Sequence, residues 1–187
     1  MIDAKYQEQD QIKKLVDTVK TDLNNYMSDL PKLKSDYEDY KNKEYNKSES
    51  LYDIETYKGW FAVKIYDRSK MNTIDPVSIS RFKDTIESLK DVKSVVRAFV
   101  HIVEKHGVVT EHKDTEEGYE TESVPVYNLI YGLKSNPEFS LRVENDVAVL
   151  DNDKQIIFDA SRLHSAKNNS DQDILILVLH LEKTYCV

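Results

Sequence analysis

Residues 95–114 read Val95-Val96-Arg97-Ala98-Phe99-Val100-His101-Ile102-Val103-Glu104-Lys105-His106-Gly107-Val108-Val109-Thr110-Glu111-His112-Lys113-Asp114. From Val95 to Val103, Val96, Ala98, Val100 and Ile102 alternate with Arg97, Phe99 and His101. That period of two marks a strand with two differently lined faces. Gly107 punctuates the run, and Val108 to His112 starts a second short strand. The same grain continues downstream in Val126–Leu133, Phe139–Val143, Val147–Leu150, Ile156–Phe158 and Ile174–Leu181. Turn signals at Gly118, Asn136-Pro137 and Asn152-Asp153 separate these runs. Many short strands at this spacing predict a β sandwich or jelly roll.

Upstream of this block the period changes. Ile12, Leu15, Val16, Val19, Leu23, Tyr26, Met27 and Leu30 recur at steps of three and four, the stripe of an amphipathic helix. Pro31 ends it, and a weaker helical run through Leu33, Tyr37, Tyr40 and Tyr45 follows. Asn46 to Ser50 reads as a linker, so we expect a helical extension over residues 1–50 and a β domain over 51–187. Trp60 to Tyr66 reads as a strand. Asp75-Pro76 opens a helix, with Asp75 as N-cap and Pro76 at the first helical position, carrying Ile79, Phe82, Ile86 and Leu89 on one face to about Lys90.

Composition narrows the function classes. The 187 residues carry a net charge of −8, which disfavours non-specific binding to nucleic acid or an anionic membrane. No stretch is apolar for long enough to span a bilayer, and no basic-then-apolar leader opens the chain, so a cytoplasmic protein is expected. The single Cys186 allows neither an intrachain disulfide nor a thiolate metal site.

His112-Lys113-Asp114 and the later His164 form the pattern His-x-Asp … His. Two imidazoles and one carboxylate are the ligand set that holds Fe(II) on one face and leaves the opposite positions open. The tripeptide alone is common, and a charged loop with a surface histidine is its plain alternative. In a jelly roll, strands remote in sequence lie side by side, so the end of the 108–112 strand and His164 can meet on one metal.

The surrounding sequence adds a resemblance. Gly59-Trp60-Phe61-Ala62-Val63-Lys64-Ile65, the helix around Phe82, Gly107 to Asp114, Tyr131-Gly132-Leu133, Ser140-Leu141-Arg142-Val143 and Ile157 to Ser165 occur in an order that resembles the aspartyl/asparaginyl β-hydroxylase-like group of Fe(II)- and 2-oxoglutarate-dependent oxygenases. Phe158-Asp159-Ala160-Ser161 leading into His164-Ser165 is the most specific piece. The resemblance implies a cupin-like double-stranded β-helix (jelly roll), with Fe(II) on His112, Asp114 and His164. It further implies 2-oxoglutarate and O2 as co-substrates, and hydroxylation of an aliphatic carbon of an amino acid, peptide or similar small polar molecule.

One position departs from that family. Ten residues past the distal histidine the family places an arginine for the far carboxylate of 2-oxoglutarate, and here Ile174 stands there. Arg142 is the substitute the resemblance suggests, with His101 as a second co-substrate contact. Arg142 also reads as a solvated residue paired with Glu144 or Asp146, and His101 and Arg97, which share one strand face, as packing or ion-pair residues. Six acidic side chains between Glu111 and Ser123 form either a solvated loop or a lid that favours a cationic substrate. His106 reads as a turn residue and His180 as core or surface. The helical stripe packs on its own domain or forms a homodimer. Two further classes stay open: a non-catalytic β-helix binding module with Ile174 as its signature, and an interaction protein working through its acidic loop and N-terminal helices.

Overall fold

A computed structural model describes residues 6–24, 57–69, 74, 76–114 and 125–186. The expected linker at 46–50, the second helical run, the Asp75 cap and residues 115–124 of the acidic loop lie outside the described residues. The elements are α1 (Gln9–Asn24), β1 (Tyr57–Asp67), α2 (Pro76–Arg81), α3 (Lys83–Leu89), β2 (Val95–His112), β3 (Val126–Lys134), β4 (Phe139–Val143), β5 (Asp146–Val149), β6 (Gln155–Asp159), β7 (His164–Asn168) and β8 (Ile174–Glu182).

All strand pairs are antiparallel, in the order β5-β4-β7-β2-β8-β3-β6, with β1 also paired to β2. The fold is the expected mainly-β jelly roll with an N-terminal helix. No helix among the described residues is long and apolar enough to cross a membrane.

β2 organises the molecule. Residues Val95–Val103 pair with β8, and Val108–His112 pair with β7, so one strand joins the two halves of a single eight-stranded sheet. At Gly107 the strand bulges instead of reversing: Lys58 pairs with Val108 and Trp60 with Val103, so five steps on β2 match two on β1, and His106 takes φ 59. A Cβ at Gly107 would lie 2.8 Å from the Gly59 carbonyl oxygen and 2.9 Å from that of Glu104, so two backbones meet where only hydrogen fits. Gly59, at φ +66, takes up the irregularity between Lys58 and Trp60 on the facing strand.

The strand alternation sorts side chains into two cores. Ala98, Val100 and Ile102 of β2 with Leu175, Leu177, Leu179 and Leu181 of β8 pack under the helices. Phe99, Val103 and Val109 with Ile174, Ile176 and Val178 face the interior that the curled sheet encloses. From Ile174 to Leu179, β8 reads as an unbroken apolar run because both its faces are covered.

α1 closes the outer core with Ile12, Leu15, Val16, Val19 and Leu23, each at most 3 % exposed. Burying a side chain of this size contributes about 1.5–3 kcal/mol. Asp22 of α1 fixes its angle: one carboxylate oxygen accepts from the Thr85 amide at 2.9 Å and the Thr85 hydroxyl at 2.7 Å. This satisfies an open N–H in the first turn of α3. The helix expected over 75–90 is broken at Phe82 (φ −108, ψ 33), which inserts its ring into the outer core. The break takes Ile79 out of phase with Ile86 and Leu89, and Ile79 is 40 % exposed.

Candidate metal centre

His112 ends β2, Asp114 follows it, and His164 begins β7. His112 and His164 are direct partners across the two strands. That pairing depends on one extra residue. Val109 faces Ala166 and His112 faces His164, so three steps on β2 match two on β7. Such a bulge reverses the side-chain phase. Val109 is buried in the inner core, whereas Thr110 is exposed. The extra residue turns His112 back inward.

The three side chains offer ligand atoms that all lie within 4.8 Å of one another. The His112 Nδ1–H donates to the Thr110 carbonyl at 2.8 Å, and the His164 Nδ1–H donates to the Arg162 carbonyl at 2.8 Å. Both Nε2 atoms therefore turn toward Asp114, at 3.4 Å from Oδ1 and 3.7 Å from Oδ2. A backbone acceptor on the remote nitrogen is the usual way a metal-binding imidazole is oriented. The Phe158 ring packs at 4.9 Å from His164, and the Asp114 amide donates to the Ala160 carbonyl at 3.1 Å. The donor set and its orientation fit a borderline divalent ion such as Fe(II).

Burial acts to raise the Asp114 pKa, but the His112 hydrogen bond, the neighbouring His164 and His180 and the Asn128 bond outweigh it and hold it at about 2. For His164 burial dominates and lowers the pKa. For His112 burial is outweighed by Asp114 and the Thr110 carbonyl, and the pKa rises.

A mostly polar row lies on the inner face of the sheet next to these three side chains. Arg97, His180, Asn128 and Phe158 are register partners across β2, β8, β3 and β6, and Asp67 of β1 pairs with Arg97. Asn128 Nδ2 donates to Asp114 Oδ2 at 2.8 Å. Because Asp114 is an acceptor only, the amide must turn its NH2 toward it. Asn128 Oδ1 is then a buried acceptor with no partner among the described residues. His180 is 4 % exposed, and burial lowers its pKa to about 4. His101 is held by Trp60, whose Nε1–H donates to His101 Nδ1 at 2.7 Å. That leaves the proton of the neutral ring on Nε2. Burial and the neighbouring His180 lower the His101 pKa to about 3.

The expected residues separate as follows. His112, Asp114 and His164 come together, and His101 lies on the inner face within electrostatic reach of Asp114. Arg142 does not join them. It alternates with Leu141 and Val143 of the inner core, pairs with Ser165, and lines an outer groove of about 430 Å3 with Ser140 and Lys167. Ile174 points inward, 1 % exposed, in the apolar inner core. His106 lies on the surface, 3.2 Å from Asp171. Asn128 and His180 were not expected at the site. Their signal was phase: each shares the inward set of its strand, with Ile130 and with Val178.

The fold and the clustered ligands define a double-stranded β-helix protein with a candidate metal centre of two histidines and one carboxylate. The model of the aspartyl/asparaginyl β-hydroxylase family matches residues 13–184, and the chain belongs to that family. Similar solved structures include a cupin domain of a transcriptional regulator from Enterobacter cloacae, at 11 % identity over 66 % of this chain and 97 % of that one, with a TM-score of 0.42. A cupin domain protein from Rhodospirillum rubrum shares 8 % identity over 70 % of this chain and 64 % of its own, with a TM-score of 0.44. A predicted oxalate decarboxylase from Thermotoga maritima shares 12 % identity over 51 % and 72 %, with a TM-score of 0.38. No curated protein matches the chain.

Proposed function

We propose that this protein is an Fe(II)- and 2-oxoglutarate-dependent oxygenase that hydroxylates an aliphatic carbon of an amino acid, peptide or similar small polar molecule. The observation that carries the reading is the convergence of His112, Asp114 and His164, with both imidazoles fixed through Nδ1 so that Nε2 faces the shared space. Family membership adds the reaction class. Bound iron supplies the O2 chemistry, with 2-oxoglutarate as the electron source that leaves as succinate and CO2. The chain's own part is to orient the ligands and enclose the site. Asn128 holds Asp114, Trp60 holds His101 with its Nε2–H available, and Phe99, Phe158 and Ile176 supply dry walls.

The test is substrate-independent 2-oxoglutarate turnover by the iron-loaded protein. His164→Ala should abolish it, and unchanged turnover would sink the assignment. One specific observation favours a second reading. Ile174 is inward and apolar and Arg142 is outward, so neither supplies a cation for a dianionic co-substrate. On that reading the protein binds a metal through the same three ligands without 2-oxoglutarate. Tight metal binding with no response to 2-oxoglutarate would establish it.

A further inference from the structure

The inner row carries a cation on the other side of His180 from the metal ligands. Arg97 alternates with Ala98 of the outer core and shares its phase with Phe99 of the inner one, which puts it on the inner face. It is the register partner of His180, which in turn partners Asn128, the residue bonded to Asp114. Two strand spacings of about 4.8 Å separate the Arg97 and Asn128 backbones, roughly 10 Å in all. That is within the combined reach of an arginine side chain and a short dicarboxylate.

The charge around Arg97 points to an anion. Asp67, 2 % exposed, is contacted by Arg97 Nε at 3.4 Å and by Lys64 Nζ at 3.6 Å. Asp67 also accepts from the Ser69 amide and hydroxyl. The carboxylate thus divides its charge between two cations and two further donors. The Arg97 side chain is only 15 % exposed, so water screens its charge poorly. His180 adds no charge at neutral pH.

We propose that Arg97, supported by Lys64 and Asp67, binds the far carboxylate of the metal-bound 2-oxo acid and so replaces the arginine whose position Ile174 occupies. The anchor is thereby moved from β8 to β2. This inference rests on the oxygenase reading above, and the experiment separates the two.

The probes are 2-oxoglutarate and 2-oxobutyrate, which share the metal-chelating end and differ in the far carboxylate. Each is titrated anaerobically into the Fe(II)-loaded protein and followed by the visible charge-transfer band of the chelate. The wild type should bind 2-oxoglutarate at least about tenfold more tightly than 2-oxobutyrate, as expected for a charge-assisted hydrogen bond. Arg97→Gln should erase that preference by weakening 2-oxoglutarate alone, and Arg142→Gln should keep it. The double variant Asp67→Asn/Arg97→Gln preserves the local charge balance and takes the place of Arg97→Gln should the single variant fail to fold. A preference that survives loss of Arg97, or that disappears with Arg142, overturns the inference and leaves the oxygenase reading standing. No band with either acid in the iron-loaded wild type overturns both.

Discussion

Replacing Asn128 with leucine tests whether the inner row serves the metal or merely fills space. The side chains are close in volume, so the change removes chemistry rather than bulk. In the folded protein Asn128 Nδ2 donates to Asp114 Oδ2 at 2.8 Å, and Asn128 Oδ1 is buried without a partner among the described residues. Losing a hydrogen bond to a charged group costs about 1.5–3 kcal/mol, while removing an unsatisfied buried acceptor returns about 1–3 kcal/mol. The metal-free protein should therefore change in stability by less than about 1 kcal/mol. The metal-bound protein has no such offset, because Asp114 must be presented in one orientation to act as a ligand. Neighbours of this kind typically control about 10- to 100-fold in metal affinity. We expect Co(II) or Fe(II) to bind Asn128→Leu at least about tenfold more weakly in competition titrations against a calibrated chelator. Urea unfolding of the metal-free variant should match the wild type. An affinity within twofold of wild type would refute the view that Asn128 orients the carboxylate. A large loss of metal-free stability would show that its role is packing.

Three further outcomes follow from the same geometry. His101 and His180 have pKa values moved from 6.5 to about 3 and about 4, so between about pH 4 and 6.5 the unfolded chain binds protons that the fold does not. Stability should then fall as pH drops through that window, by about 1.4 kcal/mol per pH unit for each histidine. His180→Gln should flatten the slope by one proton's share in urea titrations at stepped pH, and an unchanged slope would count against the burial argument. Gly107→Ala forces a methyl against the Gly59 and Glu104 carbonyls and should destabilise the protein by at least about 1–3 kcal/mol, read by chemical denaturation. Trp60 is the chain's one tryptophan and donates to His101, so its fluorescence should respond when 2-oxoglutarate fills the interior of the iron-loaded protein and should be silent in His164→Ala.

The clustering of His112, Asp114 and His164 was legible because their chemistry has few substitutes: two imidazoles and a carboxylate in that order carry meaning wherever the chain takes them. β8 was legible as a strand through its length and branched side chains. β7 was not, because His164-Ser165-Ala166-Lys167-Asn168 buries only Ala166 as an apolar residue, and its other inward positions are polar. Asn168 instead donates to the Glu104 and Gln172 carbonyls, a long-range role that local patterning does not reveal. Gly107 mimicked a turn, since a glycine needed for close backbone approach looks the same in sequence as one needed for a reversal. Phe82 ended one helical segment and began another because burying its ring outweighed helical continuity. Arg142 teaches a different lesson. Leu141 and Val143 on either side already fixed the parity of β4, and that parity sends Arg142 outward. Family resemblance pointed the other way, and the pleat decided.

One strand, β2, carries Arg97, His101 and His112 in turn, and so spans the site like the frame of a caliper. The gap between its jaws is set by how the ribbon curves where Gly107 crosses Gly59, and by the added residue after Val109. Straightening that bulge without removing a residue would leave every side chain present and the hydrophobic pattern intact. It would also deliver His112 to the outer face beside Arg142, with no ligand lost from the sequence and no metal site left in the molecule. In this fold the register of a single ribbon is itself part of what specifies the candidate metal centre.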